Sequence, residues 1–309
     1  MEFKHIPVLL KEVIDNLNIK NDGIYVDCTI GGGGHSSEII KRLKNGHLYG
    51  FDRDEMALSA CSKRFAGYKN LTLIKNNYEN AAQSLQELGV TQIDGILMDL
   101  GVSSPQIDLP ERGFSILHDG RLDMRMDQSQ TLDAAMVVNN YSKEQLLKLL
   151  YEFGEEPNAK HIVDKIVSSR QIKPIETTFE LKTIIESAFP KKLLYKRGNV
   201  SQQTFQALRI EVNGELIGLE KCILQLVDLL KPGGIMAVIS FHSLEDRIVK
   251  KTFKKLSTAC ICPPKTPVCI CGHKAEVKLI THKPITAEPE ELQRNNRSRS
   301  AKLRVVQKL

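Results

Sequence analysis

The sequence predicts an α/β fold, a parallel sheet with right-handed helical crossovers, interrupted by an inserted helical domain. Three observations predict it. Short apolar runs alternate with helical stretches over residues 24–100. From 112 to 197 the strand signal fades and apolar residues recur at helical spacing. After 198 the alternation resumes.

Taken in order, Ile24 to Cys28 reads as a strand and Ser36 to Leu43 as a helix. "HLYGFD" (His47–Asp52) is a second strand, followed by a helix near Glu55–Phe65. "LTLIKN" (Leu71–Asn76) is a third strand, with a helix around Asn80–Leu88, and "IDGILMDL" (Ile93–Leu100) is a fourth. "SKEQLLKLLYEF", "NAKHIVDKIVSSR" and "TTFELKTIIESAF" supply the helices of the insertion. A long helix over roughly Gln202–Leu230 is expected next, turned by "KPGG" (Lys231–Gly234) into the strand "IMAVISF" (Ile235–Phe241). The helix "SLEDRIVKKTFKKL" follows, and "VKLIT" and "AKLRVVQ" finish the sheet. The expected domains are 1–111, the first part of the sheet domain; 112–197, the inserted helical domain; and 198–309, the second part, with a Cys-rich hairpin at 260–273.

With 309 residues, the chain can bury a sizeable core in one large domain or two ordinary ones. Its 41% apolar and 26% charged residues are those of an ordinary globular protein. No apolar run approaches the roughly 20 residues that cross a bilayer. "MEFKHIPVLLKEVIDNL" carries charges inside its apolar stretch, so it reads as an amphipathic helix rather than a signal peptide. A cytoplasmic location without a membrane partner is the expectation. A net charge of +6 permits an anionic partner without demanding one. The stretch "QRNNRSRSAKLRVVQKL" is rich in Arg and Lys, which fits a solvated end or nucleic-acid contact. Trp is absent, so base stacking would fall to Tyr, Phe, His or Arg.

The most informative stretch is "VDCTIGGGGHSSEII", Val26 to Ile40: a strand, an acid, four glycines and a helix start. A nucleoside-triphosphate loop needs Gly-Lys-Ser/Thr, and here the glycines lead into His35-Ser36. A dinucleotide site is harder to exclude, because Gly31, Gly33 and Ser36 nearly satisfy G-x-G-x-x-G/A and Asp52 is placed for ribose hydroxyls. Two features favour an adenosyl cofactor. Asp27 ends the first strand just before the turn, where a carboxylate suits a cation and sits badly beside a pyrophosphate. "MDLGVSSPQ" brings a second acid, Asp99, to the end of the fourth strand. S-adenosylmethionine carries a sulfonium and an ammonium. The plainer alternative is that both acids cap turns and the glycines only permit tight packing.

At these residues the chain also resembles a family. "HIPVLLKEV", "DCTIGGGGHS", "GFDRD", "MDLGVSSPQID", "RGFS", "LDMRMD", "FGEE", "TFQALRIEVN", "LKPGG", "ISFHSLEDRIVK" and "NRSRSAKLR" occur in order over nearly the whole chain. Together they resemble the bacterial ribosomal RNA small-subunit methyltransferase H family, also called MraW. The resemblance implies a Rossmann-like class I S-adenosylmethionine-dependent methyltransferase with an inserted helical domain. It implies N4-methylation of a decoding-centre cytidine of 16S rRNA, with the small ribosomal subunit as partner. The sequence does not fix the oligomeric state, and a homodimer is open. It implies cofactor contacts at Gly33, Gly34 and His35, at Asp52 for the ribose, at Tyr78 beside the adenine, and at Asp99 and Gln106 on the methionine side. Tyr78, as a bare aromatic at a helix start, would more often be a core residue.

Cytosine N4 is a poor nucleophile because its lone pair is delocalised into the ring, so alignment with the methyl group matters most. Its proton becomes acidic once transfer begins, and a hydrogen-bond acceptor suffices. DNA amino-methyltransferases carry Asp/Asn/Ser-Pro-Pro-aromatic after the fourth strand; this chain has Ser103-Ser104-Pro105-Gln106 instead. Asp99, Ser104 and His242 are the candidates for contacting N4 or the ring, His242 with a structural role as its alternative. "RLDMRMD" (Arg121–Asp127) is either a salt-bridged turn or an RNA-facing or lid segment. Lys191, Lys192, Lys196 and Arg197, with Arg297, Arg299, Lys302 and Arg304, could make a phosphate track if folding gathers them.

"CICPPKTPVCICGH" holds Cys260, Cys262, Cys269 and Cys271, four of the seven cysteines. Cys-x-Cys, a Pro-containing turn and Cys-x-Cys suggest two thiolates on each arm of a hairpin, suited to tetrahedral zinc. The commoner Cys-x-x-Cys spacing is missing, so free thiols remain the alternative; a reducing cytoplasm disfavours disulfides. Cys28, Cys61 and Cys222 read as small buried residues.

Overall fold

The computed structural model describes residues 7–260, 262, 268 and 270–309, with the side chains of 195–197 outside that description. The chain packs as two compact units: Met1–Gly101 with Gly218–Leu309, and Val102–Ile217. The second unit is wider than the 112–197 expected for the insertion. The helix Gln202–Asn213 packs on the helices Ala134–Asn140 and Lys143–Glu152, which draws it into that unit.

The first unit is built on a seven-stranded sheet: β1 (Ile24–Asp27), β2 (His47–Asp52), β3 (Leu71–Lys75), β4 (Ile93–Asp99), β5 (Leu230–Ser240), β6 (Val277–Leu279) and β7 (Lys302–Lys308). Their spatial order is β3-β2-β1-β4-β5-β7-β6. The first five are parallel, whereas β7 runs antiparallel to both β5 and β6. The sheet is therefore mixed at one edge.

Strand periodicity sorts the apolar residues onto two faces. In β4, Ile96 and Met98 enter one hydrophobic cluster and Leu97 the other. In β5, Met236 and Val238 face the first cluster, and Ile235, Ala237 and Ile239 the second. Both faces are buried, which is why β4 reads as a near-continuous apolar run.

Two expectations fail locally. The helix expected over 202–230 is two helices, Gln202–Asn213 and Leu219–Asp228. Gly214 ends the first in the left-handed region at φ 60° and Gly218 begins the second at φ 79°, a conformation that glycine enters without penalty. "KPGG" is not a turn before the strand; it lies within β5, with a register shift opposite Ile93 and Gly95.

The second unit is helical. Leu146, Leu149, Leu150, Ile162, Val163, Ile166, Leu181 and Ile185 fill its core at helical spacing. "RLDMRMD" is a salt-bridged turn. Arg125 clamps Asp123 through Nε and Nη2 at 2.8 and 2.7 Å and donates to the carbonyls of Gln128 and Gln130. Arg112, only 1% exposed, donates from Nη2 to the carbonyls of Arg125 and Met126.

Candidate active site

The sheet brings three acids together. β2, β1 and β4 are neighbours and parallel, and each ends on a carboxylate: Asp52, Asp27 and Asp99. β1 is where the strand order reverses, and ligands of doubly wound sheets bind at the carboxyl ends beside that point.

The glycine turn lies over the same edge. Ile30 N donates to Phe51 O at 2.8 Å and Gly33 N to Ile30 O at 2.7 Å, folding the turn back on the sheet. Gly31 and Gly33 have φ of 50° and 74°. A Cβ on Gly33 would meet the Phe65 ring at 2.6 Å and one on Gly34 would meet Pro7 at 2.4 Å, so the turn has no room for side chains there. The turn also feeds the acids. Gly31 N donates to Asp52 Oδ2 at 2.8 Å and Asp54 N to Asp52 Oδ1 at 2.9 Å. Ser36 Oγ donates to Asp27 Oδ2 at 2.7 Å, and Thr29 N to Asp27 Oδ1 at 3.2 Å. Burial nevertheless pushes both carboxyls up to about 6, against the relief these bonds provide.

Asp99 is the most strained electrostatically. Its own amide is held by Thr29 Oγ1 at 2.6 Å. Its carboxyl is raised well above the usual range by burial first, then by Asp27 and Glu245. Oδ2 lies 3.5 Å from His35 Nδ1, and Oδ1 is buried without a hydrogen-bond partner among the described residues. His35, 5% exposed, places Nε2 2.9 Å from Val8 O.

His242 caps the helix Ser243–Leu256. Glu245 N donates to its Nδ1 at 3.4 Å, its Nε2 lies 3.1 Å from Glu245 Oε1, and Glu245 Oε2 accepts from Phe241 N at 2.9 Å. Its Nδ1 is thus engaged in helix capping. Tyr78 begins a single 3-10 turn and is buried in the hydrophobic cluster of one sheet face, where its carbonyl accepts from Cys222 Sγ. Ser104 and Gln106 belong to the second unit, both buried in the short helix Ser104–Asp108, where Gln106 Oε1 accepts from Ser103 N at 2.9 Å. Arg304 is no phosphate contact: it is 7% exposed and binds Asp246 through Nε at 2.6 Å, with Lys302 Nζ 3.3 Å from the same carboxylate. The side chains of Lys196 and Arg197 lie outside the description. Cys260, Cys262 and Cys271 gather in one place, while Cys269 lies outside the described residues.

The profile of the MraW methylase family matches residues 2–309. The chain belongs to this family. It is 52% identical over 311 residues to the ribosomal RNA small subunit methyltransferase H of Finegoldia magna, covering all of both chains. It is 51% identical over 310 residues to the protein of the same name from Clostridium botulinum strain 657, again covering both chains completely. The counterpart from Lachnospira eligens is 50% identical, with 100% of this chain and 99% of that one covered.

In this MraW methylase the acids and the turn fit the methyl donor of the fold class, the Rossmann-like class of S-adenosylmethionine-dependent methyltransferases. Three desolvated carboxyls with raised affinities for a proton form an environment that a sulfonium and an ammonium would relieve. A pyrophosphate would be repelled. Gly33, Gly34, His35, Asp52 and Asp99 lie in the unit that carries this edge. Sequence reasoning missed three supports: Thr29, which fixes the Asp99 backbone; Ser36 as the partner of Asp27; and Glu245, whose charge reaches Asp99. Ser36 was within reach, since it stands two residues past the glycines, in the first turn of the helix. Glu245 was not, because only folding brings it near β4.

Proposed function

We propose that this methylase transfers the methyl group of S-adenosylmethionine to N4 of a cytidine in small-subunit rRNA, at the decoding centre. The carrying observation is Asp99: a desolvated carboxyl at the switch point, with one oxygen free of hydrogen bonds among the described residues. The name shared by its relatives supports the rRNA target.

When bound, S-adenosylmethionine supplies an electrophilic methyl group on a sulfonium. Asp27 and Asp52 would hold negative charge toward it, and the bare glycine turn would leave room for it. Asp99 would accept a hydrogen bond from the amino group of the cytosine and so orient N4 for the transfer. The methyl group would pass to N4 with the donor left as a neutral thioether, and Asp99 would take the proton that N4 sheds or pass it to water. Positioning of this kind contributes on the order of 7–11 kcal/mol in the best intramolecular cases. A cytidine within a folded subunit must be flipped or unpaired to reach the site.

On the helix Ser243–Leu256, Lys250, Lys251, Lys254 and Lys255 are all exposed, a cationic face that suits a phosphate backbone. Gel filtration with light scattering reads whether the chain works as a monomer or a homodimer. The deciding experiment incubates the protein with labelled S-adenosylmethionine and small subunits lacking the modification, then analyses the nucleosides by mass spectrometry. Label in N4-methylcytidine is expected. Cofactor binding with no label in any rRNA base would overturn the substrate.

A further inference from the structure

We propose that Cys260, Cys262 and Cys271 hold a structural zinc ion. Their three sulfur atoms lie within 4.8 Å of one another. Cys260 Sγ and Cys271 Sγ are 3.7 Å apart. Tetrahedral zinc with Zn–S bonds of about 2.3 Å sets neighbouring sulfurs about 3.8 Å apart, whereas a disulfide needs about 2.05 Å. The observed spacing is that of a coordination edge.

The backbone supports the same grouping. Cys262 N donates to Cys260 Sγ at 3.4 Å, and Ile270 N to Cys262 Sγ at 3.4 Å. Outer hydrogen bonds of this kind orient the ligands of a metal. Packing does not explain the gathering. Cys28, Cys61 and Cys222 are buried in the protein, but Cys260 is exposed and Cys262 and Cys271 are only partly covered.

The described residues of the surrounding segment bury little apolar surface. Among the described residues between Leu256 and Val277 there is no helix or strand, and none joins a hydrophobic cluster. Val268 and Ile270 stand 72% and 83% exposed. A long connection without apolar burial needs a covalent or metal staple to hold one conformation. Thiolate-rich sites of this kind hold structure, so the ion takes no part in methyl transfer. Each thiol that ligates releases its proton to solvent. The segment continues directly from the lysine-faced helix, so the ion fixes the end of that surface.

The test uses the full chain, purified under reducing conditions without added metal. Elemental analysis should find roughly one zinc ion per chain. The double variant Cys260→Ser/Cys271→Ser should lose it with an unchanged circular dichroism spectrum. Cobalt replacing zinc in the wild-type protein should give the intense visible bands of a tetrahedral thiolate site. Absence of zinc from the wild type, retention by the double variant, or the weak spectrum of oxygen-coordinated cobalt would each overturn the proposal. Should the variant fail to fold, limited proteolysis of the wild type with and without chelator decides. Faster cleavage between 257 and 276 on chelation is expected, and identical cleavage would refute the structural role.

Discussion

His35 Nδ1 lies 3.5 Å from Asp99 Oδ2, while its Nε2 sits 2.9 Å from the carbonyl oxygen of Val8. A carbonyl oxygen only accepts, so Nε2 carries the hydrogen. Nδ1 then faces a carboxyl oxygen whose affinity for a proton burial raises well above the usual range. In the reaction proposed above, this carboxyl is where the proton shed by the methylated amine would go. Asp99→Asn keeps the size of the side chain and an accepting oxygen but removes the group that can take a proton. It is expected to lower the single-turnover rate of methyl transfer by on the order of 10²–10⁴-fold with cofactor affinity changed far less. A rate within a few-fold of wild type would take Asp99 out of the chemistry.

Cofactor affinity should depend on pH through Asp27 and Asp52. Both carboxyls are raised to about 6 by burial, above their ordinary value of 3.8. A cation is held by the ionised form, so binding strengthens as pH rises through 6 and weakens below it. At pH 5 each protonated acid weakens affinity by up to roughly tenfold relative to pH 7.5. The stability of the cofactor-free protein moves the opposite way. A raised folded-state value gives stability that is present below pH 4 and lost as pH rises through 6. Calorimetric titration with S-adenosylmethionine at the two pH values reads the first effect.

The succession of strands along the chain, the glycine turn and the acids at strand ends were legible because each has a local signature: a short apolar run, a run without side chains, a polar residue closing an apolar one. The antiparallel setting of β7 was not, since strand direction depends on where the chain returns from. The break at Gly214–Gly218 was missed for a different reason. Apolar spacing continues across both helices, from Leu208 and Val212 to Leu219 and Ile223, and only the two glycines mark the interruption. His242, a candidate by its position after β5 with a structural role as its alternative, uses Nδ1 to begin a capping box that ordinarily starts with Ser or Thr.

Gly33→Ala should destabilise the turn. Alanine at φ 74° costs about 1–2 kcal/mol, and its Cβ would meet Phe65 at 2.6 Å and Cys61 Sγ at 3.1 Å. Urea unfolding should show a loss of at least that size. Gly32→Ala is the control, because a Cβ there meets nothing within 4 Å.

Asp246 joins the helix Ser243–Leu256 to β7. Burial pushes its carboxyl up, but the bonds and charge of Arg304 and Lys302 outweigh this and hold it below the usual range. Its contribution is present above the ordinary aspartate value and lost as pH falls through the lowered one. Asp246→Ala leaves Arg304 buried with its charge uncompensated, which costs about 3–5 kcal/mol. Thermal melts at pH 7 should show the loss clearly, and the difference from wild type should shrink toward pH 3.

The placement of the helical unit between β4 and β5 governs how the protein can be assembled in time. Ile93 must register with Leu230, with the whole of Val102–Ile217 strung between them. Closing so long a loop of loose chain is slow, and sheets built on distant pairings are the late events of folding. The helices of the second unit draw on contacts close in sequence and can condense first, which shortens the slack that β5 must cross. The edge that carries Asp99 therefore matures last, and amides of β4 and β5 should gain protection from pulsed hydrogen exchange after those of the helices at 143–170.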